Sequence, residues 1–132
     1  MKSQGFTGTQ EGMTAQQIKV VRRLLDGSEF HFGDCIGADK EAYTIACKNG
    51  MYIIKHPPIN QSKQAFCEAD AEREPKEYLD RNHDIVDESD EMLATPKEHD
   101  EQLRSGTWAT IRYARKVGRK LIIIYPDGSL GS

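Results

Sequence analysis

Three times along this chain a short turn rich in glycine or small hydroxyl residues leads from a strand-like block into an amphipathic run. The turns are Gly8–Gly12, Gly33–Asp39 and Ser105–Thr107. No other feature limits the fold as strongly. Strand, turn and helix repeated in that order place the strands side by side in one direction, with the helices crossing back over both faces of the sheet. The last unit is the clearest. Ser105-Gly106-Thr107 precedes Trp108 to Lys116, Gly118 stands where a left-handed helix stop is expected, and Leu121-Ile122-Ile123-Ile124-Tyr125 follows as a buried strand. Ser105 and Thr107 are both candidate N-caps, since a side-chain oxygen can accept from the unpaired amides of a first turn. Ile111, Ala114 and Val117 recur at helical spacing and are expected to face the core, with Arg112, Arg115, Lys116 and Arg119 turned elsewhere.

The earlier units read the same way. Thr14-Ala15-Gln16-Gln17 is a capping-box pattern, and Ile18, Val21, Leu24 and Leu25 give its helix a buried stripe before Gly27. Glu29–Phe32 is a short alternating strand, and Ala42, Ile45 and Ala46 supply the inner face of the helix behind it. Met51–Lys55 is a third strand, broken by His56-Pro57-Pro58. Residues 60–80 are polar and charged, a solvated face or a lid, and the path of 57–77 is not set by any local pattern. Tyr78–Val86 reads as a helix with Leu79, Ile85 and Val86 inward, and Asp90–Ala94 as a strand ended by Pro96. The expectation is one Rossmann-like α/β domain over residues 1–132. Its sheet has five strands, mainly parallel, near 2–6, 29–32, 51–55, 90–94 and 121–125, with helices on both faces.

Ligands in such sheets sit at the carboxyl ends of the strands. All three turns fall there, so the sequence proposes one cleft. The helix start at Ser105, Gly106 and Thr107 suits an anion such as a phosphate, because its free amides point out of a positive dipole end. Gly8, Thr9, Gly33, Asp34, Gly37 and Asp39 line the other two turns. Arg81 is either a fork donor to a phosphate or a surface partner of Asp80 or Asp84. Asn82 is a ribose contact or a helix cap, and Asp39 is a ligand contact or a cap. Trp108 can stack on a base, but after a cap it more often packs a helix down. His56, ahead of two prolines, reads as structural.

Composition excludes several classes. A formal charge of −3 leaves no basic footprint for duplex nucleic acid. No apolar run is long enough to span a membrane, and no signal core opens the chain, so a cytoplasmic protein is expected. Cys35, Cys47 and Cys67 form no Cys-x-x-Cys pair, and His31, His56, His83 and His99 show no ligand spacing, so no metal is expected. The glycine spacing is not the dinucleotide fingerprint, and no cofactor is expected.

Gly5-Phe6-Thr7-Gly8-Thr9, Gly33-Asp34-Cys35-Ile36-Gly37-Ala38-Asp39, Arg81-Asn82 and Ser105-Gly106-Thr107-Trp108 resemble the successive signatures of the SLOG superfamily. This Rossmann-like group holds the LOG phosphoribohydrolases and the DNA-processing protein A core. The chain is most similar to its short stand-alone YspA/YpsA-like members, and the resemblance spans nearly all of it. It implies a nucleotide or nucleotide-derived ligand, with phosphate on Ser105, Gly106 and Thr107 and sugar near Gly33–Asp39. The LOG pattern Pro-Gly-Gly-x-Gly-Thr-x-x-Glu carries a glutamate that works on the N-glycosidic bond. Aligned on Gly106-Thr107, that place is Thr110 here. Hydrolysis would need another carboxylate, with Glu11, Asp39 and Glu41 the candidates. The expectation is therefore a binder that senses or sequesters its ligand, as a regulatory domain or a phage counter-defence sponge would. A nucleoside-monophosphate N-glycosidase and a nucleic-acid or protein interaction module are the alternatives. A homo-oligomer is expected, with the segment 60–86 as the contact face.

Overall fold

The computed structural model describes residues 2–132. Its elements are β1 (Ser3–Gly8), α1 (Ala15–Leu24), β2 (Glu29–Phe32), α2 (Ala38–Lys48), β3 (Tyr52–Lys55), β4 (Ala71–Glu72), α3 (Tyr78–Glu88), β5 (Glu91–Thr95), α4 (Gly106–Lys116), β6 (Lys120–Ile124) and β7 (Leu130–Gly131). One sheet of seven strands, not five, runs in the order β4-β3-β2-β1-β5-β6-β7. All pairs are parallel except β6 with β7. The five expected strands are present within a residue or two of their expected ends. β4 and β7 were missed because two residues carry no alternation. Their neighbours hold them: Ile54 and Lys55 pair with Ala71 and Glu72, and Ile123 and Ile124 with Gly131 and Leu130.

β1 has a weak strand composition, yet it is the centre of the sheet, laddered to β2 and β5. Tertiary pairing overrides propensity here. Gly5 has a reason to be there: a Cβ would run into the side chains of Ser89 and Met92. α3 and the start of β5 therefore approach β1 more closely than any side chain would allow.

Alternation along the strands sends side chains to two cores. Phe6, Phe30, Phe32, Ile53, Leu93 and Ile124 meet Val21 of α1, its C-cap Leu25, and Ala42, Ile45 and Ala46 of α2. Met92, Ala94, Leu121 and Ile123 meet Ile85 and Val86 of α3 and Trp108, Ile111 and Ala114 of α4. Two expected core residues fall outside: Leu79 is 54% exposed and Val117 is 43% exposed. Leu79 lies in the first turn of α3, where the helix has only begun to pack, and Val117 is the C-cap of α4 ahead of Gly118.

The capping signals read from the sequence are satisfied. Thr14 and Gln17 form the reciprocal box, and Gln17 Nε2 also donates to the carbonyls of Pro96 and Ile124, 2.9 Å each. That buried amide ties α1 to the ends of β5 and β6. Of the two candidates at α4, Ser105 is the cap, its Oγ accepting from Trp108 N at 3.2 Å. On the α3 side of the sheet two buried imidazoles meet, His31 of β2 and His56 just past β3. Burial lowers the pKa of both, that of His56 to about 4.

Candidate functional site

β2, β3 and β4 extend the sheet to one side of β1, and β5, β6 and β7 to the other. The chain reverses its direction of winding between β1 and β5, and a crevice opens there beyond the strand ends. The residues after β1, β2 and β5 and the start of α4 wall a cleft of about 600 Å³. Gly8, Thr9, Glu11, Gly33, Asp39, Arg81, Asn82, Ser105, Gly106 and Thr107 all line it.

The helix start supplies its polar wall. Ser105 satisfies the amide of Trp108, which leaves those of Gly106 and Thr107 at the cleft without an intrahelical acceptor. A Cβ placed on Gly106 would meet nothing within 4 Å. A side chain there would project into open space. Trp108 is not a cleft residue: it is 2% exposed in the α3–α4 core, and its indole N–H donates to Glu98 at 3.1 Å. Thr110 is also buried, its hydroxyl donating to the Gly106 carbonyl at 2.9 Å. No carboxylate stands where the LOG pattern has its glutamate.

Asp39 and Arg81 build the floor. One oxygen of Asp39 accepts from the amides of Gly33 and Cys35, both at 3.1 Å, and shapes the loop after β2. Burial pushes this carboxyl up to about 6, against the pull of the Arg81 guanidinium and the two amides. Arg81 is only 4% exposed. Its Nη1 donates to the carbonyls of Gly33 at 2.6 Å and His56 at 3.2 Å, and its Nε to Asn82 Oδ1 at 2.7 Å. The arginine read as a phosphate fork or a surface ion pair is instead a bolt from α3 to the ends of β2 and β3. Its charge lies beneath the cleft, but its main donors are engaged. A Cβ on Gly33 would strike the guanidinium, so the glycine makes room for the bolt.

Three expected site residues lie outside the cleft. Asp34 is fully buried with a φ of 57°. Its oxygens accept from Gln64 Nε2 and Cys67 N, both at 2.9 Å, and its charge faces Lys55 Nζ at 3.5 Å. It fastens the 64–67 segment to the end of β2. Gly37, with φ 84°, caps α2 where a Cβ would collide with the Gln10 carbonyl. Glu41 accepts from Met13 N at 2.7 Å and supports the turn after Gly12. Of the three carboxylates weighed for hydrolysis, Glu41 is thus remote and Asp39 is committed to loop amides. Glu11 sits at the rim, 65% exposed in its side chain and paired with Lys97 at 2.5 Å.

The cleft also holds residues the sequence did not single out. Lys97 and Glu98 follow β5, and the strand-end rule that located Gly8 and Gly33 would have found them too. Asn60, Ser62 and Lys63 come from the 57–77 stretch. Its path was illegible because it is set by remote contacts: Pro58 bridges Lys76, Cys35 bridges Gln64, and Tyr78 Oη donates to the Asn60 carbonyl at 3.1 Å.

No family model matches this chain, and no curated protein matches it. Among solved structures, it is similar to the molybdenum cofactor binding protein from the phototrophic bacterium Rippkaea orientalis, with a TM-score of 0.73 at 21% identity over 94% of this chain and 76% of that one. The structural-genomics target TM1055 is similar with a TM-score of 0.66 at 13% identity, covering 92% of this chain and 72% of that one. At these identities the likeness is one of fold: a mostly parallel α/β sheet of Rossmann-like type. Among the described residues no helix is long and apolar enough to cross a membrane.

Proposed function

We propose that this chain is a stand-alone member of the SLOG superfamily that binds a phosphate-bearing, nucleotide-type small molecule in the β1–β5 cleft, sensing or sequestering it without cleaving it. The observation that carries the reading is the open start of α4. Two free amides, a glycine with empty space in front of it and a capping serine line the crevice at which the sheet changes its winding. That is the wall an anion binds to. Lys63 adds positive charge to the cleft wall and Arg81 adds it from below, while Lys97 is paired with Glu11. The volume of about 600 Å³ is in the range for a mononucleotide-sized ligand. That a protein of similar fold is described as binding a cofactor supports a small-molecule role.

Hydrolysis is disfavoured by the same geometry. Thr110 replaces the LOG glutamate, and the cleft carboxylate nearest the floor already accepts two amides. The test is to denature the purified protein and identify what it releases by mass spectrometry, then to incubate it with a mixed nucleotide pool. An intact phosphorylated ligand with no free base formed is the expected result. Release of free base would replace the binder by an N-glycosidase, and failure to retain any phosphorylated compound would remove the anion site.

The reading includes a homodimer, with the first part of the 60–86 segment and the adjoining Ile59 as its contact. Ile59, Phe66 and Leu79 are each more than half exposed along it.

A further inference from the structure

The two buried histidines set an unresolved problem in proton placement. His31 Nδ1 and His56 Nε2 are 2.9 Å apart, and the rings are 2% and 1% exposed. A carboxylate faces the outer nitrogen of each ring. Glu29 Oε1 lies 3.7 Å from His31 Nε2, and Glu88 Oε2 lies 4.0 Å from His56 Nδ1. A neutral imidazole has one N–H and one lone pair. If His31 donates the shared hydrogen bond, its Nε2 turns a lone pair toward Glu29. If His56 donates, its Nδ1 turns a lone pair toward Glu88. Either way one buried nitrogen confronts an anion, and His31 Nε2 in fact has no hydrogen-bond partner. Positive charge among these groups removes the conflict, because each ring can then aim an N–H or a metal bond at what faces it.

One nitrogen from each ring and one oxygen of Glu88 lie within 4.8 Å of one another. We propose that His31, His56 and Glu88 form a binding site for a divalent transition-metal ion of the zinc class. Two imidazoles and a carboxylate are the donor set such ions take, at about 2.0–2.2 Å each, and an ion there would take the place of the His31–His56 hydrogen bond. Glu88 is held for the part. Arg73 donates to its Oε1 from Nε at 2.9 Å and from Nη2 at 2.7 Å, which leaves Oε2 toward His56. Glu29, on the far side of His31, stands where a carboxylate commonly receives the N–H of a ligating imidazole. The glutamate is about one-third exposed, so the site has a route from solvent. The ion would join β2, the end of β3 and the last turn of α3. Sequence spacing hides this trio, since its members lie in three different elements and only the parallel register brings β2 and β3 together. The site is separate from the cleft and stands whether or not the cleft binds a nucleotide.

The test uses the full chain, free of affinity tag and stripped with EDTA, titrated with Co²⁺ and followed in the visible spectrum. Expected are d–d bands saturating at one Co²⁺ per chain, no thiolate charge-transfer band, displacement by Zn²⁺ and a higher unfolding midpoint with Zn²⁺. Glu88→Gln should weaken binding at least tenfold, consistent with what loss of a ligand or its support costs, and His56→Asn should abolish it. His83→Gln with His99→Gln should change nothing. Glu88→Gln keeps the test decisive if His56→Asn does not fold, because Glu88 lies at the surface. The proposal is overturned if no saturable Co²⁺ band forms, if a thiolate band shows that a cysteine holds the ion, or if binding survives Glu88→Gln. It is also overturned if ¹⁵N-histidine spectra of the stripped protein at pH 7 show three protons on the pair and Zn²⁺ leaves them unchanged. A shared proton would then supply the positive charge.

Discussion

Gly106 separates a phosphate site from an ordinary capped helix. Valine there leaves the fold intact, because nothing lies within 4 Å of the added Cβ, but it fills the space in front of the Gly106 and Thr107 amides. Charge-assisted hydrogen bonds of the kind those amides would make contribute roughly 1.5–3 kcal/mol each. Gly106→Val is therefore expected to weaken binding of the copurified ligand by tenfold or more, and Thr107→Ser by little, since the hydroxyl survives. Calorimetric titration of the folded variants decides it, and a Gly106→Val protein that binds like wild type would make the turn purely structural. Asp39 gives a second residue-scale test, this one of linkage. Burial raises its folded pKa from 3.8 to about 6. Between those values the folded chain holds the proton more tightly than the unfolded chain. The group's contribution is therefore fully present below the unfolded value and is lost as pH rises through about 6. Asp39→Asn removes that dependence while keeping an oxygen for the Gly33 and Cys35 amides. Denaturant unfolding at pH 4 to 7 should show wild type losing stability relative to the variant across that range. Parallel curves would mean the carboxyl titrates normally.

At the scale of elements, what the sequence made legible follows from what sets each one. Helices α1 and α4 carry their own caps and stripes, and β2, β3, β5 and β6 carry their own apolar runs, so local chemistry sufficed. The edges β4 and β7, the path of 57–77 and the buried pair His31–His56 depend on partners remote in sequence, and no local pattern encodes them. The site divided along the same line. Gly8, Gly33 and the Ser105–Thr107 turn were legible because a strand-to-helix junction in a parallel sheet has only one edge to lie on. Arg81 lines the cleft as expected, but its structural part was not legible, because only when α3 is docked does its guanidinium meet the carbonyls of Gly33 and His56. Its part in the structure predicts a stability effect. Arg81→Ala strands two buried carbonyls and opens a hole beside Gly33, at a cost of about 2–4 kcal/mol. Arg81→Lys should recover only part of that, since one ammonium cannot reproduce the fork. Urea melts of the three proteins check the order. An alanine variant as stable as wild type would show that α3 is held by its apolar face alone.

The whole molecule poses a question its own surface raises. Soluble domains scatter single apolar residues, but here Ile59, Phe66 and Leu79 stand at 56%, 60% and 54% exposure along one stretch. Ile59 and the entry to α3 are neighbours, tied by the bond from Ile59 N to the Lys76 carbonyl at 3.0 Å. Ile36, 39% exposed, joins the same side through its amide bond to the Lys63 carbonyl at 2.9 Å. Phe66 also holds a φ of 59°, a backbone region that non-glycine residues rarely occupy, while turning most of its ring to solvent. Strain and exposure together are an expensive way to display a phenylalanine, and a partner surface would offset both. A two-fold pairing of this stretch, the commonest arrangement for a repeated chain, would take these residues out of water. The expected result is a dimer mass by light scattering at micromolar concentration. Phe66→Ser should give a monomer that melts no lower in its dilute limit, because the ring contributes little to the protomer's own core. Gly106→Val should remain dimeric, since Gly106 lies at the start of α4, outside this stretch. A wild-type monomer across the micromolar range would remove the pairing, and the exposed phenylalanine would then need a different partner to explain it.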